Sequence, residues 1–340
     1  MRTLVGIGDI HLRNKSFYKM GLKSFLTWLD KTLPDDKRDS TEILLAGDIL
    51  NKVNMLPFAA ASTVTLMELL HRKASTVYVI LGNHDYGLSK YKVINTKPFL
   101  EKNGVVVIDQ LCEYTTKLGF SLLCLPWCYG VSHDQVNKFI QNTISGKHYD
   151  VCTAHWELES CYGSNFVDVN NVPADAFMCG HIHSHKYNNK YLGSILPNSI
   201  AEAKDNDQSV LRFFTKTDDD KKVVSDITIP NFLSLRQVEI KQLSDLKELD
   251  SGLEVFYKII YPAELTNNDI INQAKLCGIK VYETQRADVE SVDLDNVSNL
   301  GQVSEYVVQT HLDILKNYKD VLKIDDSVYN LCVQAIQTVM

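Results

Sequence analysis

The chain has 340 residues, 45% of them hydrophobic and 23% charged, which suits a folded soluble protein of one large domain with an appendage or of two domains. The formal net charge of −7 arises beyond Ile229-Pro230-Asn231: from Phe232 onward 10 Lys and Arg face 17 Asp and Glu, whereas the preceding residues balance at 25 of each. This excludes strong nonspecific attraction to a polyanion but leaves a nucleic-acid substrate open.

The first residues enter an apolar strand at once, without a basic segment and a long apolar run, so no signal peptide is expected. The uncharged stretch Val53 to Met67 contains Pro57, Ser62, Thr63 and Thr65 and is too short and polar to span a bilayer. Eight scattered cysteines with no CxxC pair argue for reduced thiols and a cytoplasmic setting rather than a disulfide framework or a thiolate zinc site.

Taken in chain order, short β-branched strands alternate with helical patterns. Strands are predicted at Thr3–Gly8, Glu42–Ala46, Val77–Leu81, Val105–Ile108, Ser121–Leu125, Asp150–Ala154 and Ala176–Cys179. Helices are predicted at Phe17–Leu33 and Pro57–Arg72, the second with its proline in the first turn. A hairpin, Ser209–Lys216 with Val223–Ile229, closes an α/β layered domain near residue 230. A smaller β-β-α-β unit follows over Leu235–Glu283, then a polar linker from Asp288 to Asn299 and two amphipathic helices. In the last of these, Ser327–Met340, residues Val328, Leu331, Cys332, Ala335, Ile336 and Val339 form a 3.6-residue stripe. The stripe suits packing on the chain's own body or on a partner.

The ends of these strands carry Asp9-x-His11, Gly47-Asp48, Gly82-Asn83-His84-Asp85, His155 and Gly180-His181-x-His183, in that order. Asp9, His11, Asp48, Asn83, His155, His181 and His183 offer carboxylate, imidazole and amide donors and no thiolate, a set suited to hard or borderline divalent ions. Asp9 and His11 can reach one ion from an extended loop, and Asp48 has two oxygens with which to bridge two ions. Two ions about 3.5–4 Å apart can clamp the attacking and leaving oxygens of a phosphoester and generate hydroxide near neutral pH. Parallel sheets place such sites at strand C-terminal ends. His84, with Asp85 beside it to fix its tautomer, is left to protonate a leaving oxygen. Singly, Asp-x-His is usually surface loop and Gly-Asn-His-Asp a turn; the ordered set on strand ends is what points to a dinuclear site. His71, His133, His148 and His311 lie outside any motif. His185 is read as lying beyond direct ligation, and Trp127 and Trp156 as wall packing or as platforms for a base.

These motifs resemble those of the calcineurin-like metallophosphoesterases over residues 1 to about 230. The resemblance implies a layered α-β-β-α sandwich, here with a small α+β capping domain and C-terminal helices: 1–230 nuclease domain, 231–287 cap, 288–340 linker and helices. Tyr191-Leu192-Gly193-Ser194 with Glu202, and Ala154-His155-Trp156-Glu157-Leu158, are similar to segments of SbcD-type DNA repair and recombination nucleases and of phage recombination endonuclease subunits. That branch implies one metal held by Asp9, His11, Asp48 and His183, and another by Asp48, Asn83, His155 and His181, with His84 catalytic and Asp85 supporting it. It also implies manganese, with magnesium the alternative. The activity would be a 3′-to-5′ exonuclease on duplex DNA ends and an endonuclease on single-stranded or hairpin DNA. Its partners would be an SbcC-like coiled-coil ABC-type ATPase bound by the terminal helices, and a second copy of the chain. Asn51 departs from the family, standing where an Asp usually follows Gly-Asp-x-x, and Pro197 is shifted from the common Gly-Ser-Pro. The core motifs alone also admit another substrate class, such as a cyclic nucleotide or a phosphoprotein.

Overall fold

Three runs of apolar, largely β-branched sequence near the N-terminus dictate the centre of the molecule, because each is too apolar to leave a face in water. In the computed structural model, which describes residues 1–13, 16–53, 56–89, 92–158, 165–199, 202, 209–252 and 255–287, they form β1 (Arg2–Ile7), β2 (Thr41–Leu45) and β3 (Thr76–Ile80). Helices α1 (Ser16–Thr32) and α2 (Leu56–Lys73) connect them. A short hairpin, β4 (Tyr86–Ser89) and β5 (Lys92–Asn95), precedes α3 (Lys97–Lys102) and β6 (Val106–Ile108). Next come β7 (Cys112–Thr115), β8 (Ser121–Leu125), α4 (His133–Thr143), β9 (Tyr149–Ala154), β10 (Ala174–Phe177), β11 (Val210–Lys216) and β12 (Lys222–Thr228). The last described elements are β13 (Ser234–Glu239), β14 (Val255–Tyr261), α5 (Asn267–Leu276) and β15 (Val281–Arg286).

Strands β12-β11-β1-β2-β3-β6 form one sheet, parallel from β1 to β6 and closed on its other side by the antiparallel β11–β12 hairpin. A second sheet, β10-β9-β8-β7, is parallel except at β7. Side-chain alternation sorts the core into three layers. Val5, Ile43, Leu45, Val77 and Val79 face Phe25 and Leu29 of α1 and Leu66 and Leu70 of α2. Leu4, Leu44, Tyr78 and Ile80, on the opposite face, meet Leu122, Cys124 and Val151 of the second sheet. Leu123, Leu125, Cys152 and Ala154 then face Val136 and Ile140 of α4. The order is helix, sheet, sheet, helix, the mixed α/β sandwich expected. Among the described residues no helix is long and apolar enough to cross a membrane, and the six described cysteines are free thiols.

Elements β4, β5, α3, β7 and α4 escaped the sequence reading. β7 reads Cys-Glu-Tyr-Thr, only half buried. The β4–β5 pair is four residues a side. α4 is preceded by Ser132, whose hydroxyl accepts from Gln135 N–H while the Gln135 side chain returns to Ser132 N–H. The strand expected at Ala176–Cys179 ends at Phe177, and Cys179 continues only as an isolated bridge to Tyr191.

The third sheet, β13-β14-β15, is parallel throughout. One face buries Ile259 against Ile270 and Ala274 of α5. Leu235 and Phe256 instead join the core beneath α1, and the Phe232 ring sits 6.2 Å from Phe25 and 6.1 Å from Trp28. Pro230-Asn231 thus marks a change of sheet inside a unit running from Met1 to Ala287. The linker, the terminal helices with the Ser327–Met340 stripe, and His311 lie outside the described residues.

Candidate metal centre

Parallel pairing aims the C-terminal ends of β1, β2 and β3, and of β9 and β10, at a common edge, and the loops leaving those ends carry the motif residues. The loops are cross-tied: His11 N–H donates to the Asp48 carbonyl at 2.8 Å, and His181 N–H lies 3.1 Å from both Asp9 carboxylate oxygens. His11, Asp48 and His181 have φ of 50°, 46° and 89°. A side chain with a Cβ is disfavoured there by about 1–2 kcal/mol. Among the described residues the only other non-glycine with positive φ is Asp220, in the β11–β12 turn. Strain concentrated on three motif residues means that the packing around them dictates where their side chains point.

Asp9, His11, Asp48 and His155 are fully buried, and Asn83, His181 and His183 partly so. His11 Nε2 lies 2.9 Å from His183 Nε2 and 3.5 Å from Asp48 Oδ2. His155 Nε2 lies 3.2 Å from both Asp48 Oδ2 and Asn83 Oδ1, and His181 Nδ1 is 3.3 Å from Asn83 Oδ1. Donor atoms sharing one ion at bonds of about 2.0–2.2 Å stand about 3 Å apart, so these spacings fit divalent metal. The close approach rests on glycine. At Gly47 (φ +96°) a Cβ would lie 2.2 Å from His155 Nδ1, and at Gly82 it would lie 2.1 Å from Asp48 Oδ1.

Two triads of potential ligand atoms each fall within 4.8 Å: His11, Asp48 and His84, and Asp9, Asp48 and His155. Asp48 belongs to both. Asp9, expected to pair with His11, sits at 3.6 Å from His155 Nδ1. His84, expected outside both ligand groups, is close enough to His11 and Asp48 to share their triad.

The electrostatics fit the same group. Burial pushes His11 well below the ordinary histidine range and His181 down to about 3, leaving both rings neutral at pH 7 with a lone pair available. Burial lifts the Asp9 carboxyl to about 6. Asp48 moves the other way: burial opposes its charge, but the neighbouring His155 holds it below the carboxylate range. His155 is the reciprocal case, raised to about 10 against burial by the Asp48 charge. Buried carboxylates facing imidazoles call for positive charge among them, which a divalent ion supplies.

The role expected of Asp85 is corrected by the structure. Its carboxylate does not touch the His84 ring. It accepts the backbone N–H groups of Gly82, Ile49 and Leu50 at 3.0, 3.1 and 3.3 Å, tying the Gly82 turn to the Asp48 loop. Burial, reinforced by Asp48, raises it to about 7. The His84 tautomer is set instead by the Asn51 backbone carbonyl, which receives Nδ1–H. His155 is held likewise, with Nδ1 2.7 Å from the Ala46 carbonyl. Every residue has a carbonyl, so no sequence signal marks these two partners. Asn198 and Glu202, which contact His183 Nδ1 at 3.1 and 3.2 Å, also went unassigned; Glu202 stood out only as part of the segment after Gly193-Ser194.

Among the remaining candidates, His185 Nδ1 bonds the Tyr191 carbonyl at 2.6 Å, away from the donor cluster. Trp156 is buried with Nε1–H on the Pro126 carbonyl, and the half-buried Trp127 stacks edge-on with Tyr86. His71 bonds the Asn103 carbonyl, His133 packs against Trp156, and His148 lies on the surface near Asp175.

Residues 2–185 match the family described as Calcineurin-like phosphoesterase. The chain belongs to that family. Calcineurin-like phosphoesterases are metal-dependent hydrolases, and the convergent donor set above lies within the matched residues. Two curated relatives are similar to the chain. A DNA polymerase II small subunit of Thermoplasma acidophilum is 26% identical over 231 residues, 58% of this chain and 44% of that protein. An uncharacterized metallophosphoesterase, YkoQ, of Bacillus subtilis is 25% identical over 183 residues, 53% of this chain and 60% of that protein. The chain therefore spans about half the length of these relatives.

Proposed function

We propose that this calcineurin-like phosphoesterase is a two-metal DNA nuclease, the catalytic subunit of a repair or recombination complex with an SbcC-like ATPase. The observation that carries the phosphodiesterase part is the convergence of two triads of donor atoms on Asp48, one of them including His84. Asp9, His11, Asp48 and His183 would hold one ion, and Asp48, Asn83, His155 and His181 the other, as manganese or magnesium. When bound, the ions supply concentrated positive charge that activates water and offsets charge on the phosphoryl group.

The chain's own residues do the rest. The Asp48 carbonyl, which accepts Ile10 and His11 N–H, and the Asp85 ties hold the loops rigid, so little reorganisation accompanies reaction. His84 Nδ1–H is committed to the Asn51 carbonyl, which leaves Nε2 for the site; in the doubly protonated ring Nε2 also carries a proton, and that proton would pass to the departing oxygen, leaving the neutral Nδ1–H tautomer. DNA as the substrate draws on the Gly193-Ser194 segment, on the third sheet appended to the phosphoesterase core, and on the relative named as a DNA polymerase subunit. Exonuclease action on duplex ends, endonuclease action on hairpins, and pairing with a second copy and the ATPase belong to the same reading.

The test is cleavage of end-labelled duplex and hairpin DNA with manganese or magnesium, with and without an SbcC-like ATPase, beside turnover of bis-p-nitrophenyl phosphate and cyclic AMP. DNA cleavage exceeding the small diesters is expected. Turnover confined to cyclic AMP would assign another substrate class. His84→Ala is expected to keep manganese binding and lose about 10²–10⁴-fold in rate; wild-type cleavage by that variant removes the role given to His84.

A further inference from the structure

In three of the four histidine ligand candidates, among the described residues, no side chain outside the donor cluster reaches Nδ1. His155 Nδ1 faces a backbone carbonyl, His181 Nδ1 faces Asn83 within the donor cluster, and His11 Nδ1 has no hydrogen-bond partner. His183 differs. Its Nε2 points into the site, 2.9 Å from His11 Nε2, while its Nδ1 meets two side chains at once: Glu202 Oε1 at 3.2 Å and Asn198 Nδ2 at 3.1 Å.

These two neighbours make opposite demands. A carboxylate oxygen only accepts, so it favours a proton on Nδ1 and a free lone pair on Nε2. An amide nitrogen only donates, so it favours a lone pair on Nδ1 and a proton on Nε2. The amide cannot escape by turning over. Arg13 Nη2 donates to Asn198 Oδ1 at 2.7 Å, and arginine has no acceptor, so the oxygen must face Arg13 and the NH₂ must face His183. Glu202 is equally fixed. Asn198 N–H donates to its Oε2 at 2.8 Å, and Ser199 Oγ lies 3.4 Å from Oε1.

We propose that Glu202 is the positioning residue that holds His183 in its metal-ligating tautomer, and that Asn198, oriented by Arg13, is a built-in competitor for the same ring nitrogen. The inference rests on the two-metal reading above and deepens it, because it makes affinity for one of the two ions depend on side chains that touch neither ion.

The test is manganese titration of the full chain by calorimetry, with long-range proton–nitrogen NMR of the metal-free histidine rings as a second readout. The wild type is expected to bind two manganese ions and to carry the His183 proton on Nδ1. Glu202→Ala leaves Asn198 alone at Nδ1, so the proton moves to Nε2 and one binding event weakens by about 10–100-fold while the other is unchanged. Adding Asn198→Ala removes the competitor and recovers part of that loss; a defect of general structure deepens with the second substitution instead. Two unaltered binding events, or an unaltered tautomer, in Glu202→Ala overturn the proposal and leave the metal reading standing. A wild type that binds no manganese overturns both. If Glu202→Ala does not fold, Glu202→Gln replaces it: the neutral amide is a poorer acceptor, the same single event weakens, and wild-type affinity overturns the proposal.

Discussion

Gly82→Ala isolates the placement of the Asp48 carboxylate from its chemistry. Gly82 has φ −99° and ψ 176°, extended backbone that alanine adopts without strain, so the added methyl acts only through contact. That methyl would lie 2.1 Å from Asp48 Oδ1, 2.5 Å from Asp48 N and 2.7 Å from His155 Cε1. Ordinary contact begins at 3.4 Å, so the carboxylate must retreat by about 1.3 Å. It cannot do so freely, because Asp48 Oδ1 also accepts His84 N–H at 2.9 Å and Asp48 Oδ2 lies 3.2 Å from His155 Nε2. Overpacking a rigid site costs about 1–3 kcal/mol of stability, and a misplacement of about 1 Å costs about 10²-fold in rate. Thermal unfolding by circular dichroism and turnover of bis-p-nitrophenyl phosphate with manganese check the two effects. A variant that folds and turns over at the wild-type rate refutes the placement of Asp48 at the junction of two metal positions.

Other substitutions probe what surrounds the site. Asp85→Ala leaves three buried backbone N–H groups without their acceptor, so a loss of about 2–4 kcal/mol is expected, read as a lower denaturant midpoint with the slope unchanged; an unshifted midpoint means the Gly82 turn is held by something else. Removing metal with a chelator should lower the melting temperature, and manganese should restore it in a concentration-dependent way, since ligand that binds only the folded state stabilises it; identical melts argue against the site. Asp150, buried with Ser121 N–H at 2.9 Å, Lys222 at 3.1 Å and Lys216 at 3.4 Å, is held below its ordinary 3.8 by those partners despite burial. A depressed carboxylate stabilises the fold above its unfolded value and loses that contribution as pH falls through the folded one. Asp150→Asn should therefore flatten the melting temperature below about pH 4; an unchanged acid limb rejects the assignment.

The parts of this protein legible in its sequence are those that nearest neighbours encode. Runs such as Ile43-Leu44-Leu45 and Val77-Tyr78-Val79-Ile80 must be buried on two faces, so the parallel centre and the helices covering it follow from composition and period. The donor inventory follows too, because a carboxylate or an imidazole announces its chemistry wherever it stands. The half-buried β7 and the four-residue β4 and β5 were hidden because so short a pattern is degenerate. Only the tertiary structure decided how the donors are oriented. Asp85 stands beside His84 in sequence, yet its carboxylate turns to Gly82, Ile49 and Leu50, while the Asn51 carbonyl accepts the histidine Nδ1–H. Asn198 and Glu202 reach His183 across a loop, in opposed senses. The sequence by itself determined which atoms could hold metal; the tertiary structure decided which lone pairs face inward, because hydrogen bonds from backbone and distant side chains, not residue identity, choose a histidine's tautomer.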